Sequence, residues 1–317
     1  MSAGYAALRE SAAWLDVSGR GTLRVTGEDR ARLLHALCTN HVQALTPGSG
    51  CYAFFLNAQG RILADATLLC REEDFLLDTE PELAAKLTSH IDSYIIADDA
   101  AVEDVTAEWC CFAIEGPQAE GVIASLGAAA SREENSYIGW GAGLVARISL
   151  TGGQGFLLRA PAKERETIVA SLASQGAVAA TAEDFRIRRI ENGHPRYGED
   201  ISERYLAQET GQLRALHFSK GCYLGQEIVE RVRSRAQIHR VLAAVEIATE
   251  APPEAGEQLQ RDGQKAGEIT SSAFSPDLGK VVALAYVRID AAAPGTELTL
   301  GPARAKIRDA RAAALSR

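Results

Sequence analysis

"GCYAFFLNAQGRILADATLLCREEDFLLDT", residues 50–79, holds three β-rich runs broken at "NAQG" and "REED". Short apolar runs bounded by Asn, Gly and charged turns are the pattern of hairpins, so this stretch reads as a meander. Upstream, "TLRVTG" (22–27) alternates with a period of two and "GEDRARLLHAL" (27–37) turns to a helical period with Ala31, Leu34 and Leu37 on one face. Downstream, "EPELAAKLTSHIDSYI" (80–95) reads as an amphipathic helix with proline in its first turn. Strands and helices together make one α+β unit.

The pattern recurs. "WCCFAIEG" reads as a strand and "PQAEGVIASLG" as a helix. "GLVARISLTGGQGFLLRAP" gives two strands around a Gly-rich turn, and "AKERETIVASLASQG" a helix closed by glycine. From about residue 237 the texture changes to short strands, "RVLAAVEI", "QKAGEITSSAF", "KVVALAYV" and "TELTL", separated by Pro/Gly-bearing turns, which predicts a small antiparallel barrel. The expected fold is α+β: two related α+β lobes over 1–236 and a C-terminal antiparallel β-barrel over 237–317.

A chain of 317 residues exceeds the size at which a single core usually stops growing. At 46% apolar and 24% charged, its composition is that of a folded chain. A net charge of −9 speaks against a direct grip on nucleic acid or an anionic membrane, both of which need a dominant positive field. Charges at Arg9, Glu10, Asp16, Arg20 and Arg24 leave no apolar signal region, and no uncharged run approaches the ~18 residues of a membrane span. A soluble cytoplasmic protein with reduced thiols is expected.

The six cysteines contain no C-x-x-C pair and no zinc-type Cys/His spacing. Cys70, Cys110 and Cys111 lie in apolar runs and read as core; Cys38 and Cys51 are ambiguous. Cys222 stands apart in "SKGCYLGQE" (219–227), between Gly221 and Gly225, with Lys220 two residues before it and a helical run "QEIVERVRSR" after it. A cation and a helix start both favour thiolate, while a small packed side chain in a tight turn is the competing reading. The residues alone leave both open.

Asp65, on the strand after the Asn57–Gly60 turn, is a carboxylate that could orient or accept a proton from an amine or a bound water, but its local sequence reads more simply as an ordinary exposed strand residue. "TGGQG" lacks the P-loop lysine and the Rossmann spacing, so it reads as a hairpin turn. Arg231, Arg233, Arg235, His239 and Arg240 form a local basic patch that suits either a polyanionic tail or simple solvation beside Glu227 and Glu230.

"SKGCYLGQE" resembles the K-G-C-Y-x-G-Q-E signature of the YgfZ-type folate-binding family, relatives of the glycine-cleavage T-protein that act in maintaining iron-sulfur enzymes. "LDVSGRGTLRVTGEDRARLLHALCTN", "NAQGRILAD", "IEGPQA", "RIENGHPRYGEDI", "GEITSSAFSP" and "VALAYV" resemble the family in order and spacing. The resemblance implies a three-lobed, T-protein-like arrangement. It also implies a factor supporting assembly or repair of [4Fe-4S] enzymes, including tRNA-modifying radical enzymes.

Carried over residue by residue, the resemblance makes Cys222, Lys220 and Asp65 the catalytic candidates. Asp65, Tyr223, Gln226, Glu227 and Arg233 become the candidates for holding tetrahydrofolate. Any iron-sulfur cluster would be transient or shared, with Cys222 as one ligand, because a cluster usually needs four. The partners implied are iron-sulfur assembly proteins or client [4Fe-4S] enzymes. By the same alignment, the T-protein's pterin-binding glutamate falls on Leu157 and its folate-binding arginine on Phe185. Ala207 and Ala236 stand where relatives often carry proline and glycine.

Two other readings accompany this one. In a tetrahydrofolate-dependent aminomethyltransferase or formaldehyde-transfer enzyme, Asp65 would orient the folate amine and Cys222 would be structural. In a folate-sensing scaffold, neither residue would do chemistry.

Overall fold

The computed structural model describes residues 1–235 and 238–310. The hairpin stretch forms three neighbouring strands, Gly50–Leu56, Ile62–Cys70 and Phe75–Thr79, and Gly21–Thr26 and Ala101–Asp104 complete a five-stranded sheet in that order. The helix Arg30–Leu37 follows the strand Gly21–Thr26, and the expected helix at 80–95 forms as a 3-10 turn, Pro81–Leu83, running into Ala84–Asp92.

The second sheet has six strands in the order Val178–Ala179, Ala13–Asp16, Trp109–Glu115, Gly155–Pro161, Gly143–Ala146 and Tyr137–Trp140. Its membership revises the reading of two successive units. The N-terminal strand pairs Ala13 with Glu115 and Asp16 with Phe112, so the chain begins in the second lobe before it builds the first. The cause is burial: Ala7, Leu8 and Ala13 join one apolar cluster with Ala113, Leu144, Leu157 and Phe185.

Both sheets belong to one compact unit, which comprises Met1–Leu56, Leu63–Phe185 and Arg214–Leu224. Within it, Arg159 is 2% exposed and ion-pairs with Asp78 of the first sheet while also donating to the Thr22 hydroxyl. Arg20 closes on the same carboxylate at 2.8 Å. Burial pushes the Asp78 carboxyl up, but the two guanidinium groups outweigh it and hold it below its usual range.

The second compact unit takes in Asn57–Ile62, Arg186–Leu213 and the chain from Gly225 on. These units do not follow the expected division at 236, because the segment 186–213 and the turn 57–62 go with the barrel; residue 236 itself lies outside the described residues. The barrel is closed, in the order Arg240–Ile247, Lys280–Arg288, Gln264–Ser275, Gln258–Arg261, Glu297–Leu300 and Ala303–Ala310. Val241, Ala243, Val245 and Ile247 point into its core, whereas Leu242 on the other face packs with Ile187, Ile190, Tyr205, Leu284 and Tyr286. Tyr205 and Tyr286 stack with ring centroids 3.6 Å apart, and Arg240 lies over both rings. Arg240, one member of the expected basic patch, is thus engaged in packing and pairs with Glu209 at 3.0 Å.

Removing one partner of a buried ion pair strands the other charge. Arg159→Met is expected to lower stability by about 3 kcal/mol in urea titrations. Asp78→Leu, which takes the carboxylate from Arg20 and Arg159 together, should cost more than Arg159→Met, which leaves Asp78 its pair with Arg20.

Candidate functional site

Asp65 sits on the strand Ile62–Cys70, 9% exposed, and accepts a hydrogen bond of 2.6 Å from the Tyr52 hydroxyl on Gly50–Leu56. Its backbone carbonyl accepts from Thr79 Oγ1 at 2.6 Å. The guanidinium of Arg214 lies 5.0 Å from the centre of the Tyr52 ring. Burial raises the Asp65 carboxyl to about 6; the Tyr52 hydrogen bond and Arg20 pull the other way, and Glu80 adds to the rise. A carboxyl that changes protonation near neutrality is suited to exchange a proton with an amine.

The turn carrying Cys222 is a second, separate feature. Among the six cysteines, five are buried and Cys222 is exposed, which settles Cys38 and Cys51 as packed thiols. Gly221 has φ +94° and Gly225 φ +84°, conformations that favour glycine and let the chain double back around the thiol.

Lys220 does not point outward with Cys222. It is buried, and its ammonium donates to the carbonyl of His35 and, at 2.6 Å, to that of Cys38, at the C-terminal end of the helix Arg30–Leu37. That is where a helix leaves carbonyls unpaired and where a cation is favourable. His35 returns the contact: its Nε2 donates to the Lys220 carbonyl at 2.8 Å. Leu224 N donates to Ala36 O at 3.0 Å, and the ring of Tyr223 lies 4.8 Å from the Lys220 ammonium. Burial draws the Lys220 ammonium below its usual range. The turn is clasped to one helix end, with Cys222 outside the clasp.

Of the remaining candidates, Gln226, Glu227 and Arg233 lie on the helix Gln226–Arg235 of the second compact unit, and Arg233 pairs with Glu230 at 3.4 Å. Lys220 and Tyr223 are brought together, and so are Asp65 and Tyr52. Sequence reasoning missed Tyr52, Arg20, Glu80 and His35; the one signal available for Tyr52 was its place on the strand that precedes Asp65 across the "NAQG" turn. Leu157 and Phe185 are both buried in the apolar cluster of the second sheet. "TGGQG" is a turn as expected, and the Glu115 carboxylate already takes the amides of Leu150 and Thr151 beside it. Ala207 opens a 3-10 turn, Ala207–Thr210, whose first position suits alanine as well as proline, and Ala236 lies outside the described residues. Among the described residues, no group of three or more His, Cys, Asp or Glu side chains is arranged to hold a metal, and no helix is long and apolar enough to cross a membrane.

Residues 1–220 match the GCVT N-terminal domain and residues 240–315 the glycine cleavage T-protein C-terminal barrel domain. The chain belongs to that family.

Among its relatives, the chloroplastic protein At1g60990 of Arabidopsis thaliana, named for a transferase activity, is 26% identical over 90% of this chain and 68% of its own length. An aminomethyltransferase of Rubrobacter xylanophilus is 29% identical over 90% of this chain and 79% of its own. The crystal structure of glycine cleavage system aminomethyltransferase T from Bartonella henselae has the same fold, with a TM-score of 0.88 at 20% identity over 96% of this chain and 87% of that one.

The raised Asp65 carboxyl carries a prediction with a definite sign. The folded chain holds a proton there that the unfolded chain, at 3.8, has released, so this contribution is full below pH 3.8, is lost as pH rises through about 6, and is level above. Two units at about 1.4 kcal/mol each make the loss about 3 kcal/mol. Asp65→Asn keeps an acceptor for Tyr52 and cannot ionise. Urea titrations should find it more stable than wild type by up to about 3 kcal/mol near pH 8 and level with it near pH 4.

Proposed function

We propose that this T-protein-family chain is a YgfZ-type factor that supports assembly or repair of [4Fe-4S] enzymes, tRNA-modifying enzymes among them, through Cys222. The observation that carries the reading is the exposure of that one cysteine, on a glycine-flanked turn held by Lys220 and His35, while five others are buried. The thiol acts on a persulfide, a partner thiol or an iron-sulfur cluster delivered as cargo. Since one thiolate supplies one ligand, the partner or a small molecule supplies the rest. Assembly proteins and client enzymes are its partners, and it works in the cytoplasm without gripping RNA itself.

The second reading is tetrahydrofolate-dependent aminomethyl or formaldehyde transfer, and the names of the relatives support it more directly than they support the first. Asp65 favours it too, being a buried carboxyl that titrates near neutrality. Tetrahydrofolate fits this chain unevenly. Asp65 suits its amine, but Leu157 and Phe185 are apolar and packed, so neither can hold its pterin or its carboxylates. Each charge-assisted bond so forgone weakens the grip by ~1.5 to 3 kcal/mol. No step is therefore routed through folate.

Complementation of cells lacking this protein separates the readings, with tRNA thiolation by a [4Fe-4S] enzyme as the readout. Cys222→Ser is expected to abolish rescue and Asp65→Ala to retain it. Full rescue by Cys222→Ser would overturn the first reading. Calorimetric titration with tetrahydrofolate is the companion measurement: micromolar binding that disappears in Asp65→Ala would favour the transferase.

A further inference from the structure

Asp65 does not stand alone in its sheet. Gly21 pairs with Thr79, Thr22 with Asp78, and Asp78 in turn with Thr67, so three strands lie in one register beside it. Side chains two residues apart on a strand share a face, which puts Asp65 on the face of Thr67 and so of its partner Asp78, while Glu80 lies just past the end of the strand Phe75–Thr79. Arg20 joins the row by bonding Asp78 at 2.8 Å and Glu80 at 2.6 Å, and Arg159 reaches Asp78 from the second sheet. The cluster holds three carboxyl groups, Asp65, Asp78 and Glu80, against two guanidinium groups, Arg20 and Arg159. With all three ionised it carries one negative charge in excess, and one proton balances it. Asp78 is bonded to both arginines and Glu80 to one, whereas the hydrogen bond found on the Asp65 carboxyl comes from a neutral phenol. The balancing proton belongs on Asp65.

We infer that Arg20 and Glu80 are positioning residues that act through Asp65, setting the charge balance under which that carboxyl exchanges a proton with a bound amine. The inference rests on the reading of Asp65 as the carboxyl that meets the amine. Asp65 gives its proton to the nitrogen lone pair, leaving a carboxylate beside an ammonium, and takes it back in the reverse step. The carboxylate state is tolerated because Arg20 lies near, and it is kept from being permanent by the negative charge of Glu80. The groups facing Asp65 are Tyr52 from the neighbouring strand, Glu80 and Arg20, with Arg214 above Tyr52; Asp78 and Arg159 are joined to Arg20 through the ion pairs, and the Cys111 thiol faces that same group of charges. Tyr52 and Cys111 are both raised by burial, Cys111 to about 11, and stay neutral through this range.

The test is carboxyl-carbon NMR of the full chain labelled at aspartate, with the Asp65 signal assigned by its loss in Asp65→Asn. The wild-type midpoint is expected near 6. Glu80→Gln should lower it by roughly one unit, Arg20→Gln should raise it, and Arg20→Lys should bring it back toward wild type. Opposite shifts from two neighbouring variants are not what a loosened fold produces. Midpoints that stay put, or that move the same way in both variants, overturn the inference. Should Arg20→Gln fail to fold, Glu80→Gln, a partly exposed site, decides by itself: a fall supports the inference and no change refutes it. The titration reads protonation and not turnover. If the shifts occur while calorimetry finds tetrahydrofolate binding absent, or unchanged in Asp65→Ala, the tuning stands and the amine reading falls.

Discussion

The buried Arg159–Asp78–Arg20 bridge is the interaction on which the two-sheet body depends. Taking three charges out of water is costly, and the bridge is tolerable only when every partner is in place. That condition fixes the first sheet against the second, because Arg159 comes from Gly155–Pro161 and Asp78 from Phe75–Thr79. Apolar packing around Leu69, Leu76 and Leu157 would tolerate small slips; an ion pair at 2% and 4% side-chain exposure does not. The same bridge sets the electrostatic surroundings of Asp65, so the stability of the body and the protonation of its carboxyl share one set of groups.

The clasp at Lys220 shows how a signature residue can have a structural task that its neighbours in sequence do not suggest. Two residues from a cysteine, a lysine invites the reading of a thiol activator. Here its ammonium is spent on the carbonyls of His35 and Cys38, and His35 holds its main chain in return. The consequence for Cys222 is one of presentation. With the chain pinned on one side by Lys220 and on the other by the Leu224–Ala36 hydrogen bond, the thiol is held outward on a turn of two glycines and is not free to fold into the core.

Periodicity made the strands at 50–79 and the barrel strands Arg240–Ile247, Gln264–Ser275 and Lys280–Arg288 legible, because long runs of alternating or continuous apolar residues have few other readings. The strands Gln258–Arg261 and Ala303–Ala310 were not legible: they carry charged residues on their outer faces and owe their form to the barrel's closure. The N-terminal strand Ala13–Asp16 was hidden for another reason, since its partners lie about a hundred residues away at Trp109–Glu115. The site divides likewise. Asp65 and Cys222 are singled out by the family resemblance, their local settings leaving other readings open, whereas Tyr52, Arg20, Glu80 and His35 matter only through register and tertiary contact.

Leu157 and Phe185 bear on how the two sites relate. Both side chains fill the apolar cluster that also takes Ala113, Ala146 and the N-terminal helix, so returning either to a charged residue would put a charge in a packed core or force it out through neighbouring chain. The core in this chain is therefore built on their being apolar, and a strong polar grip on a pterin at those positions is incompatible with it. Asp65 is under no such constraint, since Tyr52, Thr79 and the arginine cluster hold it whether or not a ligand arrives. The clasped thiol at 222, in the same compact unit but on its own turn, remains complete in every part. Packing thus separates the two: the carboxyl is held by the fold that surrounds it, whereas the exposed cysteine on a doubly pinned turn adds nothing to the core.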